Sequence, residues 1–257
     1  MKRLWMAVPA VALLAGCAGQ PASEGGVQAS QADTENRQRA RAFTELATAY
    51  YARGQYKVSL DELRKAISVD SRFGPAYNVY GLIYMELAED RLAEENFRRA
   101  IEIDRGDSEA RNNYGWFLCT RGRYDEGLEQ FTQALRNPLY ASPEQAMANA
   151  GLCAERKGDL ALAEANLQRA LKLQPDNPNT ILKLAGMRYR QGRLEEVRRL
   201  LQRHAELAPP TAESLWLGVR TERRLGDREQ EAAYGLQLRR RFPDSAEARR
   251  LQAGQYE

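Results

Sequence analysis

Small residues recur in this chain at the interval of a helical hairpin. Ala47, Gly81 and Gly115 follow one another at steps of 34 residues, Gly151 comes after 36, and Ala185 after a further 34. A fixed period of this length means that one supersecondary unit is stacked on copies of itself, because a single hairpin cannot bury its apolar face alone. The chain is thereby confined to an all-α fold, a right-handed superhelix of about six helix-turn-helix pairs.

The second helix of each pair carries its own marks. These are Ser59, Leu63 and Ala66 in the first pair, Ala93, Phe97 and Ala100 in the second, and Gly127, Phe131 and Ala134 in the third. The fourth has Ala163, Leu167 and Ala170, and the fifth has Val197 and Leu201 with His204 where a small residue is usual. Small side chains let the two helices of a hairpin touch, and large apolar ones fill the space between hairpins. Gly54, Gly122, Gly158, Gly192 and Gly226 sit where the paired helices must turn, whereas the second pair places Ala88 there. This is the tetratricopeptide pattern, and it assigns residues 40–257 to one repeat domain. The stretch from Ala212 to Ser245 keeps Gly226 and Pro243 but has Glu231 and Gly235 at core positions. It is either a degenerate sixth repeat or a polar cap.

The N-terminal residues read differently. Lys2 and Arg3 precede a short apolar run that contains Pro9 and closes on Leu13-Leu14-Ala15-Gly16-Cys17. A charged, an apolar and a small-residue region in that order read as a secretory signal over residues 1–16, too short to span a membrane. The Leu-Ala-Gly-Cys order resembles the bacterial lipobox, which implies acylation of Cys17. Several acyl chains, each buried CH₂ contributing about 0.8 kcal/mol, give stable attachment. Ala18 and Gly19 follow without the Asp that marks inner-membrane retention in such lipoproteins, so the resemblance implies an outer-membrane anchor facing the periplasm. Residues 17–39 are rich in Gly, Ser, Gln and Ala and poor in large apolar side chains, which predicts a flexible tether.

Charge and chemistry narrow the function. The net charge is only +3, from 38 basic and 35 acidic residues interspersed along the chain, which speaks against nucleic acid as a partner. His204 is the only histidine, no nucleophile elbow or metal-ligand spacing accompanies it, and the glycines recur at repeat spacing instead of forming a phosphate loop. The sequence therefore predicts no enzyme, no cofactor, no metal site and no small-molecule substrate. A repeat array of this kind offers a concave surface made by its first helices. The register places Asn78, Leu82 and Met85, then Asn112, Trp116 and Cys119, then Leu152, and then Tyr189, Trp216 and Arg220 towards it. Amide and aromatic groups on a rigid wall suit recognition of a peptide segment, although Trp116 and Trp216 could equally fill gaps between hairpins. The basic-asparagine clamp of chaperone-binding members is absent. Cys119 and Cys153 fall at similar depth on neighbouring first helices, which leaves open either a periplasmic disulfide or two buried thiols.

Particular words of the sequence go further. Asn112-Asn113-Tyr114-Gly115-Trp116-Phe117-Leu118-Cys119, Arg121-Gly122-Arg123-Tyr124, Asn137-Pro138-Leu139-Tyr140, Asn149-Ala150-Gly151-Leu152-Cys153, Glu213-Ser214-Leu215-Trp216-Leu217-Gly218-Val219-Arg220 and Leu236 through Ser245 resemble the type IV pilus biogenesis lipoproteins of the PilF/PilW family. The resemblance implies a Cys119–Cys153 disulfide. It also implies a pilotin, an outer-membrane lipoprotein that binds pilus secretin subunits and promotes their localisation and multimerisation. A lipoprotein scaffold for outer-membrane protein insertion or for envelope hydrolases would share the same anchor and repeats.

Overall fold

The computed structural model describes the backbone of residues 24–256 and the side chains of residues 34–256. Cys17 and the signal segment lie outside the described residues. Within them the chain is helical and contains no strand. Six antiparallel pairs follow in order: α1 (Glu24–Tyr51) with α2 (Tyr56–Val69), α3 (Gly74–Glu86) with α4 (Asp90–Ile103), and α5 (Ser108–Thr120) with α6 (Tyr124–Ala134). Then come α7 (Pro143–Lys157) with α8 (Leu160–Leu173), α9 (Pro178–Arg190) with α10 (Leu194–Leu207), α11 (Ala212–Leu225) with α12 (Arg228–Arg241), and a short α13 (Ala246–Gln252). No described helix is long and apolar enough to cross a membrane.

The first helix departs from expectation. It extends back to Glu24, into the segment 17–39 that composition predicts as a tether. Poverty in apolar residues argues against burial but not against helix. From Val27 onward α1 holds no Gly or Pro, and its C-terminal half is docked through Ala40 and Ala47, both fully buried. With a turn already held in place, each further residue adds a hydrogen bond without a new nucleation cost.

Close contact within each pair depends on the small residues. A Cβ added at Gly81 would lie 2.6 Å from the Phe97 ring, and one at Gly115 would lie 2.9 Å from the Phe131 ring. In the third pair a Cβ at Gly127 would come within 2.7 Å of the Gly115 carbonyl oxygen. The turn between α3 and α4, which lacks glycine, adopts the same left-handed backbone at Ala88, with φ of 59° against 78° at Gly122. A Cβ in that region costs roughly 1–2 kcal/mol, so the geometry of the pair is imposed at this turn and not chosen by it.

Between pairs, successive first helices touch over most of the array, while successive second helices make no comparable contact. The array therefore curves, with the first helices on its concave side. Among neighbouring first helices, α7 and α9 are the pair that stands apart. The outer joints are clipped by charge. Arg121 in the third turn pairs with Asp90 of α4 at 2.6 Å, and Arg123 with Glu94 at 2.9 Å. The buried Arg188 of α9 meets Glu164 of α8 at 2.5 Å, and Arg198 of α10 pairs with the buried Glu222 of α11.

The C-terminal stretch is a true sixth pair closed by a cap. Gly235 admits Leu251 of the α13 segment, 3.4 Å from where a Cβ would sit, and Glu231 leaves the core to pair with Arg223 at 2.9 Å. Leu238 and Ala248 are fully buried beneath this cover.

Candidate functional site

Along the concave wall the residues fall into two chemically distinct stretches. Across α3, α5 and α7 runs a chain of carboxamides. Asn149 Nδ2 donates to Asn112 Oδ1 at 3.0 Å, Asn112 Nδ2 to Asn113 Oδ1 at 3.4 Å, and Asn113 Nδ2 to Asn78 Oδ1 at 3.2 Å. Asn112 is fully buried and Asn78 nearly so. These two asparagines do lie on the first helices, as the register predicts, but they serve the joints between helices. A buried amide without a partner is costly, and here the partners are one another. Leu82 and Met85 flank this stretch, half-buried against Tyr114 and Phe117.

Beyond it the wall changes character. Arg156 of α7 lies over the Trp116 ring at 4.8 Å from its centroid. Arg220 of α11 lies 4.6 Å from the Tyr189 ring and 5.6 Å from the Trp216 ring, and Arg224 approaches Tyr189 at 5.0 Å. Arg224 also donates from Nη1 to the Tyr189 carbonyl oxygen at 3.3 Å. Where α7 and α9 part opens a recess of about 370 Å³ lined by Trp116, Leu152, Leu182 and Gly186 together with the charged Glu155, Arg156, Lys183, Arg190 and Glu213. Lys183 is paired with Glu213 at 3.0 Å, and Arg190 with Glu155.

Trp216 does not serve as an exposed recognition ring. It is 3% exposed, lies within the C-terminal core, and is stacked by Tyr256 at a centroid distance of 5.7 Å. Arg223 in turn covers Tyr256 at 3.9 Å. Of the predicted wall residues, Trp116 and Leu152 line the recess, Tyr189 and Arg220 meet each other outside its lining, Leu82 and Met85 stand apart from it, and Trp216 lies under the chain's own tail. The sequence reading missed Arg156, Leu182, Gly186 and Arg224. Gly186 was within reach of it, standing 34 residues after Leu152 as Leu152 stands 36 after Trp116.

Cys119 and Cys153 form a disulfide between α5 and α7, with their Cα atoms 5.6 Å apart, inside the usual range for such a bridge. The pair is buried with Phe131 and Ala150, behind Trp116, so Cys119 belongs to a joint and not to the open wall. His204 on α10 is buried beside a recess of about 280 Å³ lined by Leu215 and Tyr234. Burial pushes its imidazole below the usual 6.5, which holds it neutral. Among the described residues no group of three His, Cys, Asp or Glu side chains is placed to hold a metal ion. What the wall presents chemically is stacked cations and apolar surface, its asparagine amides being spent on one another.

Models of the tetratricopeptide repeat match residues 74–107, 96–129, 115–178 and 155–217. The chain is 30% identical to the type IV pilus assembly protein PilF of Pseudomonas aeruginosa over 212 residues, covering 82% of this chain and 84% of that one. The structure from the functional characterisation of Pseudomonas aeruginosa PilF superposes with a TM-score of 0.74 at 29% identity, over 86% of this chain and 99% of that one. The crystal structure of PilW, a widely conserved type IV pilus biogenesis factor, superposes with a TM-score of 0.76 at 32% identity, over 83% and 98%.

Proposed function

Because this chain belongs to the PilF/PilW family of type IV pilus biogenesis proteins, we propose that it acts as a pilotin. It is a lipoprotein that binds pilus secretin subunits at the outer membrane and promotes their multimerisation there. The observation that carries this reading is the concave wall, a rigid surface of stacked cations and half-buried apolar groups with no catalytic constellation around it. The mechanism is positional. Acyl chains on Cys17 hold the protein at the inner face of the outer membrane, and the wall holds a secretin segment. Confining subunits to one surface raises their effective concentration for each other, so assembly is favoured without any bond being made or broken by the protein.

The test is Cys17→Ala. On this reading the variant leaves the outer-membrane fraction, and heat-resistant secretin multimers in that fraction fall by about tenfold or more, the size of effect that loss of effective concentration produces. Full membrane attachment with normal secretin assembly would sink the mechanism. Recovery of a membrane-protein insertion complex or an envelope hydrolase in periplasmic pull-downs, with no secretin, would give the protein to the scaffold reading instead.

A further inference from the structure

The arginines of this protein are held in two ways, some in both at once: Arg121, paired with Asp90, also lies over the Phe117 ring at 5.3 Å. On the outer joints they meet carboxylates, as Arg121 meets Asp90 and Arg188 meets Glu164. On the concave wall Arg190 also meets one, Glu155, whereas Arg156, Arg220 and Arg224 have no carboxylate partner among the described residues and lie against aromatic faces. A ring occupies one face of a guanidinium and leaves its N–H edge directed outward, which is the edge that grips a carboxylate in bidentate fashion. Arg220 Nε is buried with no hydrogen-bond partner among the described residues. Burial, with Arg250 and Arg190 nearby, pulls the Arg220 pKa down although Tyr189 opposes the shift, so its charge is incompletely compensated by the protein alone. A low-dielectric concave wall focuses such uncompensated charge.

The apolar part of the same surface is equally incomplete. Leu152 and Leu182 line the recess, and a Cβ built on Gly186 would meet nothing within 4 Å.

We propose that the wall over α7, α9 and α11 docks an extended, acidic peptide segment. Its carboxylates bind Arg156 at one end and the Arg220–Arg224 pair at the other, and an apolar side chain between them enters the recess above Gly186. Two helix spacings of at least about 8–10 Å each, the first wider because α7 and α9 part, separate the two acidic positions by about six or more residues of extended chain. The inference rests on the reading of the concave wall as the protein-binding surface and specifies what that surface takes.

The experiment is selection of a random peptide library, displayed on phage, against the purified full chain. Enrichment of peptides with two acidic positions flanking an apolar one is expected, with binding that weakens by about tenfold as salt screens the charges. Arg156→Glu with Arg224→Glu, both at exposed positions, weakens the selected peptides by about tenfold or more, and exchanging Glu for Lys in a selected peptide restores part of that loss. Gly186→Leu fills open space, leaves thermal melting intact and blocks the same peptides. Enrichment of neutral or basic sequences, no enrichment, or acidic peptides indifferent to both variants would overturn the proposal. The selection contains no secretin, so its failure leaves the pilotin reading standing. Normal assembly with Cys17→Ala removes that reading alone.

Discussion

The two stretches of the concave wall solve opposite problems with polar groups. Over α3, α5 and α7 the amides of Asn78, Asn112, Asn113 and Asn149 are satisfied by each other, and their hydrogen bonds are spent on holding neighbouring first helices in register. Over α7, α9 and α11 the guanidinium groups rest on rings and, apart from the bond from Arg224 Nη1 to the Tyr189 carbonyl oxygen, keep their hydrogen-bonding edges unspent among the described residues. Polar residues on a binding wall are thus not all there for binding. What separates the two kinds is whether their donors already have acceptors.

Substitutions test that division by separating stability from recognition. The largest effect is expected at Trp216, whose ring supports both Arg220 and Tyr256. Trp216→Ala should cost about 3–5 kcal/mol, as removal of a buried Trp does, read as a lower midpoint in urea. Peptide binding lost in this variant without a stability loss would mean that the ring contacts the partner directly. Asn112→Ala should cost about 1–3 kcal/mol by stranding the amides of Asn149 and Asn113, and in a double-mutant cycle with Asn78→Ala the costs should fall short of additivity. Affinity for the selected acidic peptides should stay unchanged once the folded fraction is allowed for. A variant that keeps its stability but loses the peptides would erase the distinction between the stretches. The smallest stability change belongs to Arg156→Ala, about 0.5–1 kcal/mol for an exposed cation on a ring, and here the peptides should weaken while the melt barely moves. An unchanged peptide affinity would place Arg156 with the structural residues.

The sequence makes the stacking legible because its causes are local and repeated. Gly81 and Gly115 recur where Phe97 and Phe131 need room, and each pair states this requirement again. The start of α1 was not legible, since the poverty of residues 24–39 in apolar groups reports on burial and is silent about a helix carried backward from a docked half. Nor was the fate of Asn78 and Asn112. An amide at a concave position reads the same whether it faces a partner or another amide, and that partner comes from a neighbouring repeat. The register leaves Trp216 open between wall and core, because the cover that decides it comes from Tyr256, beyond the last repeat and outside the period that reveals everything else. The stacked arginines escaped for a related reason. Arg156 meets Trp116, and Arg220 meets Tyr189, across a repeat boundary, so the register gives Trp116, Tyr189 and Arg220 but neither Arg156 nor either pairing.

The bridge between Cys119 and Cys153 has a mechanical consequence. A solenoid under load behaves as a spring whose give lies in the joints between coils, and this spring has one joint covalently clamped, at α5–α7. The next joint along, α7–α9, is the loosest on the concave side. Deflection of the array under load would therefore fall there, beside Gly186, before it reached the clamped joint. α7 is thus tied to α5 by a covalent bond and to α9 by the Arg190–Glu155 ion pair, one joint that charge screening leaves untouched and one that it loosens.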